Sequence, residues 1–79
     1  MKLFIYSLQS AIFDGEVKSL TLPTLQGEIT VLEDHLPLIT LINRGLIRYI
    51  DSANKPSTLD FAGGVAEIRP GSEIVILAD

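Results

Sequence analysis

The segment Gly27-Glu28-Ile29-Thr30-Val31-Leu32-Glu33-Asp34-His35-Leu36-Pro37-Leu38-Ile39-Thr40 decides the fold of this chain. It begins with a turn glycine, continues as an apolar strand over residues 28–32, and reaches an acidic corner at residues 33–35. Pro37 prevents a helix at this corner because proline has no amide hydrogen and a fixed φ. A second apolar strand, Leu38–Ile42, follows. We therefore predict two short strands joined by a rigid corner.

The rest of the chain repeats this pattern of short apolar runs separated by turn residues, and no helical period persists beyond two turns. The predicted strands cover residues 3–8, 11–13, 16–22, 28–32, 38–42, 45–50, 58–61, 65–69 and 73–77. Short strands with closely spaced turns are typical of an antiparallel sandwich or barrel. We predict one all-β domain over residues 1–79.

Several turns carry local signals. Asp14-Gly15 predicts a tight turn between the second and third strands. Within residues 16–22 the apolar positions shift from odd (Val17) to even (Leu20), which predicts a bulge or a bend across a sandwich corner, and Pro23 is expected to end this strand.

Glycine and proline mark the structural turns near the end of the sequence. Gly63 and Gly64 predict a sharp bend between two strands, and Pro70-Gly71 predicts a tight turn into the last strand. The polar loop at residues 51–57 is expected to connect two strands that pair as a hairpin.

Composition excludes several classes of function. The net charge is −4 and the six Lys and Arg residues are scattered, which argues against nucleic acid as a partner. The absence of cysteine excludes disulfides, thiolate metal sites and cysteine nucleophiles. No apolar run approaches the roughly 20 residues that a membrane-spanning helix needs, so we expect no lipid insertion. The sequence begins without an export signal, which predicts a cytoplasmic location.

The residues that could carry chemistry form no catalytic pattern. His35 is the single histidine, and Asp34 beside it points to the opposite face of an extended chain. A structural role for His35 is favoured, with its imidazole bonded to the backbone of the corner. Gly63-Gly64 lacks the pattern of a phosphate loop and leads into a strand. We expect no catalytic residue, metal, cofactor or nucleotide in this domain.

Two features leave alternatives open. Glu28 is either a solvated carboxylate at the start of a strand or part of an interface. Residues 36–42 are apolar at nearly every position, which indicates either a strand buried on both faces or a strand with one face in an interface.

Two blocks of this sequence resemble the epsilon subunit of F-type ATP synthases. The segment from Gly27 to Leu38 is similar to the family's G-E-x-x-(I/V)-L-x-x-H-x-P-L motif, with Glu33-Asp34 in place of the family's P-G. Residues 61–71 and 74–79 are similar to its S/A-G-G-hydrophobic-x-E-V-x-P-x block and its closing V-x-V-L-A-D strand. The resemblance extends from about Leu3 to Asp79.

The resemblance implies a flattened antiparallel sandwich of two roughly five-stranded sheets. It implies a non-catalytic rotor subunit that links the gamma shaft to the membrane c-ring and couples ion translocation to ATP synthesis and hydrolysis. The family's inhibitory C-terminal helical hairpin has no counterpart in these residues, and we expect no helical domain. The implied location is the cytoplasmic face of the bacterial inner membrane, as a peripheral part of the enzyme.

The resemblance also assigns the docking residues. Those implied to face the rotor ring are Gln26, Gly27 and Glu28. Those implied to face gamma are His35, Pro37, Leu38 and Thr40.

A free-standing β-sandwich that binds a peptide or glycan is the main alternative. Five Phe and Tyr residues and no Trp give it little aromatic material for a binding surface. A small hydrolase is disfavoured because the sequence lacks a catalytic constellation. Capture of gamma in a co-purification separates the rotor subunit from both alternatives.

Overall fold

A computed structural model describes all residues from 1 to 79, and it contains strands and turns but no helix. The eight strands are β1 (Lys2–Tyr6), β2 (Ala11–Thr24), β3 (Gly27–Val31), β4 (Leu38–Ile42), β5 (Gly45–Asp51), β6 (Pro56–Phe61), β7 (Gly64–Arg69) and β8 (Glu73–Ala78). The all-β prediction is confirmed. No part of the chain forms an apolar helix long enough to cross a lipid bilayer.

The strands form two layers that share β2. The first part of β2 pairs with β1, and the strand order of this layer is β2-β1-β8-β7-β4. The second part of β2 pairs with β3 on one side and with β5 on the other, and β6 pairs with β5. Counting β2 in both, the layers have five and four strands. Every pairing is antiparallel except the parallel pair of β1 and β8. The predicted sandwich of two roughly five-stranded sheets is confirmed, with this one parallel exception.

The core follows from the two-residue period of each strand. In β1, Leu3 and Ile5 are fully buried, whereas Phe4 and Tyr6 point outward and stack with ring centroids 6.1 Å apart. Burial of one such aliphatic side chain contributes about 1.5–3 kcal/mol. The core consists of Met1, Leu3, Ile5, Val17, Leu20, Leu22, Val31, Ile42, Ile47, Phe61, Ala66, Ile68, Ile74 and Ile76.

The predicted turn at Asp14-Gly15 is wrong. Both residues lie within β2 and pair with β1, opposite Phe4 and Leu3 respectively. The Asp-Gly hairpin turn requires positive φ, and Gly15 is not among the residues with that conformation. The chain reverses earlier, over residues 7–10, where Ser7 Oγ accepts hydrogen bonds from the amides of Gln9 and Ser10. Ladder pairing with β1 therefore overrides the local turn signal.

The predicted bulge in β2 is confirmed, because its register opposite β5 shifts between Val17 and Ser19. The shift lets β2 pass from one layer to the other while Val17 and Leu20 both stay buried. Pro23 does not end the strand, since it still pairs with Glu28 of β3. β2 ends at Thr24, two residues beyond the predicted end of the strand at Leu22.

The predicted glycine and proline turns lie at the two ends of β7. Gly63 has a φ of 125° and lies at the connection between β6 and β7. A Cβ on Gly64 would overlap the carbonyl oxygen of Leu77 in β8, so only glycine fits there. Pro70 and Gly71 lie in the turn between β7 and β8, which continues through Ser72. The polar loop connects β5 to β6, and the predicted hairpin is confirmed by the pairing of these two strands.

Candidate docking surfaces

The turn between β2 and β3 is fixed by one threonine. Thr24 Oγ1 donates a hydrogen bond of 2.7 Å to the carbonyl oxygen of Gly27 and accepts one of 3.2 Å from the amide of Gln26. Thr24 is buried, and Gly27 has a φ of 101°, a left-handed conformation that suits glycine. Leu25 and Gln26 at the tip are exposed. The turn is therefore rigid at its base and open to a partner at its tip.

Glu28 takes part in an ion pair. Its Oε1 lies 2.8 Å from Nη2 of Arg48 on β5 in the same layer, and both side chains are about half exposed. An exposed pair of this kind contributes about 0–1 kcal/mol. The carboxylate is thus positioned by Arg48 but remains accessible.

The turn between β4 and β5 lies beside the turn between β2 and β3. The amide of Asn43 donates to the carbonyl oxygen of Pro23 over 2.8 Å, and Thr24 pairs with Ile42. Arg44 in this turn is exposed and has no carboxylate within ion-pair distance. Sequence reasoning missed Arg44, since only the fold brings the two turns together. We call this surface the loop end; its residues are Leu25, Gln26, Gly27, Glu28, Asn43 and Arg44.

At the acidic corner, the amide of His35 donates to the carbonyl oxygen of Leu32 over 3.2 Å and closes the turn. The prediction that the imidazole bonds the backbone is wrong, because neither ring nitrogen has a hydrogen-bond partner and both are buried. The backbone amide takes that role instead. A buried polar group without a partner costs about 1–3 kcal/mol, so the His35 ring adds no hydrogen-bond stabilisation to the corner.

The structure separates the two faces of β4. Leu38, Thr40 and Ile42 share the side that faces the core, whereas Ile39 and Leu41 point outward and are 70% and 59% exposed. A strand buried on both faces is therefore excluded, and the alternative with one uncovered face remains. Sequence reasoning did not name Ile39 and Leu41, because alternation alone does not say which side is covered.

Ile39 and Leu41 belong to a larger apolar surface on the outside of the first layer. We call it the apolar face; its residues are Tyr6, Ile39, Leu41, Val65, Val75 and Leu77. A shallow groove of about 460 Å³ runs along it. Contiguous exposed apolar patches in soluble proteins often mark interaction sites.

A charged trio interrupts the apolar face. Glu67 lies in register between Ile39 and Val75, and it lines the groove together with Arg69. The guanidinium of Arg69 lies 3.0 Å from a carboxylate oxygen of Glu67 and 3.0 Å from one of Glu73. The pKa of Arg69 is raised above its ordinary value, mainly by the hydrogen bond to Glu67 and secondly by the one to Glu73. The trio has a net charge of −1 and makes this part of the groove polar.

The residues implied to face gamma are placed differently from one another. Pro37 is exposed, Leu38 is nearly half exposed at the start of β4, Thr40 is half-buried and the His35 ring nitrogens are buried. The accessible apolar part of this segment is therefore Leu36, Pro37 and Leu38. Ile39 and Leu41 of the apolar face follow it along β4.

No three His, Cys, Asp or Glu side chains are grouped so that they could hold a metal ion. The features that stand out are the loop end and the apolar face, both on a rigid sandwich, and they define a β-sandwich docking domain. The chain belongs to the family described as "ATP synthase, Delta/Epsilon chain, beta-sandwich domain", whose model matches residues 1–79. The resemblance inferred from the two sequence blocks is thereby confirmed.

Curated relatives of this chain are named ATP synthase epsilon chain. The ATP synthase epsilon chains of Bordetella parapertussis and Bordetella petrii are each 37% identical over 75 residues. The matched region covers 95% of this chain and 53% and 52% of those proteins, so the chain spans about half the length of these relatives.

Solved structures share the fold. A chain of the Euglena gracilis mitochondrial ATP synthase superposes with a TM-score of 0.90 at 22% identity, over 96% of this chain and 48% of that chain. A chain of the central stalk and c-ring of the Tetrahymena thermophila enzyme gives 0.82 at 13% identity, over 99% and 62%. These matches support the sandwich architecture.

Proposed function

We propose that this domain is part of the central stalk of a rotary ATP synthase, where it links the gamma shaft to the membrane c-ring. The observation that carries the proposal is the family match over the whole chain. The chain would transmit torque between ion translocation and nucleotide chemistry, with no catalysis or nucleotide binding of its own. A closely packed antiparallel sandwich suits this role because its interior deforms little under load.

The loop end is the proposed contact with the ring. Gln26 lies in the turn between β2 and β3, and Gly27 and Glu28 begin β3. Arg44 adds a free positive charge beside them. The solved chains that share this fold come from ATP synthase assemblies that include the c-ring, which supports the proposed ring contact. Because the Glu28–Arg48 pair is exposed and weak, this contact is proposed to set register and to contribute little affinity.

The surface proposed for gamma consists of Leu36, Pro37 and Leu38 together with the outward side of β4. This extends the residues implied by the family motif to Ile39 and Leu41, which are the most exposed apolar residues of β4. A stable interface buries about 800 Å² on each partner. That is about a sixth of the 4913 Å² surface of this domain.

The proposed location is the cytoplasmic face of the bacterial inner membrane, as a peripheral part of the enzyme. Its support is the bacterial origin of the curated relatives.

Capture of purified gamma tests the assignment. Ile39→Asp and Leu41→Asp place a charge on the outward side of β4, and we expect each to weaken capture by at least about tenfold, since burying an unpaired carboxylate is costly. Thr58→Asp is the matched control, because Thr58 is exposed on β6 in the other layer. A domain that captures no gamma at all, with or without these changes, would point to the free-standing binding module instead.

A further inference from the structure

The outward side chains of β1, β8, β7 and β4 form three rows across the first layer, because residues in register on paired strands lie side by side. The first row is apolar throughout and consists of Tyr6, Leu77, Val65 and Leu41. The second row has a single polar member and consists of Phe4, Val75, Glu67 and Ile39. The third row is charged and consists of Lys2, Glu73 and Arg69. Glu67 therefore carries the one charge that lies within the two rows of apolar side chains.

The two glutamates of the charged trio have different surroundings. Oε1 of Glu67 accepts a hydrogen bond of 3.1 Å from Nε of Arg69 and lies 3.0 Å from Nη2 of the same guanidinium, whereas Oε1 of Glu73 accepts one of 3.0 Å from Nη1. In both glutamates Oε2 has no partner within the domain. Glu73 has Lys2 beside it in its row, but the row neighbours of Glu67 are Val75 and Ile39. Glu67 thus has a free oxygen, and Arg69, which it shares with Glu73, is the only cation that it contacts.

A partner that covers the groove removes water from Glu67. The Glu67 side chain is 46% exposed, and it lines the groove of about 460 Å³ together with apolar residues. A carboxylate that loses its water is costly unless it is paired and hydrogen-bonded. Arg69 cannot neutralise both glutamates of the trio, and Lys2 lies two strands away from Glu67. The domain itself therefore lacks the positive charge that a covered Glu67 requires.

We propose that Glu67 determines the orientation of the partner on the apolar face. The partner segment carries a Lys or Arg side chain that donates to Oε2 of Glu67, and this basic group is flanked by apolar side chains that pack on Ile39 and Leu77. The identification of this partner as gamma rests on the proposed function. Charge complementarity favours a basic group, because a neutral donor would satisfy the oxygen but leave the net charge of −1. An alternative orientation of the same partner would bury its basic group against apolar side chains without a counter-charge, which is unfavourable.

Binding of purified gamma to Glu67→Gln and Glu73→Gln tests the proposal. Each change keeps the size of the side chain and removes one half-exposed carboxylate charge bonded to Arg69, so the two variants are matched. We expect Glu67→Gln to weaken the affinity for gamma by about tenfold or more, as for one member of a buried charge pair. Glu73→Gln, at the rim, should change it by no more than about twofold. Thermal unfolding verifies that both variants are folded.

The dependence on salt gives a second measurement. An increase from about 0.1 M to 1 M NaCl shortens the screening length from about 10 Å to 3 Å. We expect it to weaken gamma binding by the unsubstituted domain and by Glu73→Gln more than binding by Glu67→Gln, which has already lost the charge pair.

Equal affinities of the two glutamine variants for gamma would overturn the proposal while leaving gamma as the partner. Tighter binding by Glu67→Gln would also overturn it, because Arg69, released from Glu67, would then face an acidic group of gamma. If the unsubstituted domain does not bind gamma at either salt concentration, the proposed function fails, and this inference fails with it.

Discussion

Thr24 of β2 and Ile42 of β4 form the pairing that joins the two layers at the loop end. Both residues are buried, and Thr24 also holds the turn that carries Gln26 and Gly27. The strand whose outer side is proposed to contact gamma is therefore tied directly to the turn proposed to contact the ring. A rigid link between the two proposed partners passes through this one junction.

Ile42→Ala should weaken this junction strongly. The side chain is part of the core, and its truncation is expected to lower the free energy of unfolding by about 2–5 kcal/mol, through lost burial and a residual cavity. Denaturant unfolding monitored by circular dichroism measures this. Leu41→Ala is the control in the same strand, and because Leu41 points outward it should change stability by no more than about 0.5 kcal/mol. Similar losses from both substitutions would contradict the assigned faces of β4.

At the loop end, removal of a charge should have little effect, whereas charge reversal or added bulk should weaken the proposed ring contact. Glu28→Gln removes only an exposed ion pair with Arg48, so we expect a stability change below about 1 kcal/mol and intact rotor assembly. Glu28→Lys places two positive charges together and should weaken coupling to the ring, as should a bulky residue at Gln26. A pull-down of ring and gamma with each variant compares the two classes. Equal assembly of all the variants would count against a ring contact at this turn.

Local patterns were sufficient to predict most strands. In β1, Leu3 and Ile5 alternate with Phe4 and Tyr6, and this two-residue period matches a strand with one side in the core. The Asp14-Gly15 signal failed because pairing with β1 outweighs a local turn preference.

Contacts between distant parts of the sequence could not be predicted from local patterns. The parallel pairing of β1 with β8 and the contact of Met1 with Glu33 join residues far apart in the sequence, and no local pattern encodes them. At the candidate surfaces, the motif placed Gln26 to Glu28 on an exposed turn. It did not distinguish the inward Thr40 from the outward Ile39 and Leu41, since that depends on which neighbour covers each side of β4.

Gly64 and Gly71 should tolerate alanine very differently. A Cβ at Gly64 overlaps the carbonyl oxygen of Leu77, so Gly64→Ala forces β7 and β8 apart, and we expect a loss of more than about 3 kcal/mol, in the range of overpacking and broken strand pairing. At Gly71 nothing lies within 4 Å, and only its φ of 84° is unfavourable for alanine, a cost of about 1–2 kcal/mol. Thermal unfolding of the two variants gives the comparison. A Gly64→Ala variant as stable as Gly71→Ala would be inconsistent with the close approach of β8.

The stabilising role of Glu33 should disappear in acid. The pKa of Glu33 is lowered below its ordinary value of 4.5, mainly by the hydrogen bond from the α-ammonium group of Met1 and secondly by the one from Ser72. Because the pKa is lower in the folded than in the unfolded state, the contribution is fully present above pH 4.5 and is lost as the pH falls through the folded-state pKa. We therefore expect the difference in unfolding free energy between the unsubstituted chain and Glu33→Gln to be constant near neutral pH and to shrink below that value. Urea unfolding at a series of pH values measures it, with Asp34→Asn as the control whose difference should change much less. A Glu33→Gln difference that stays constant down to pH 2, well below the ordinary pKa, would mean that the carboxylate charge contributes nothing to the folded state.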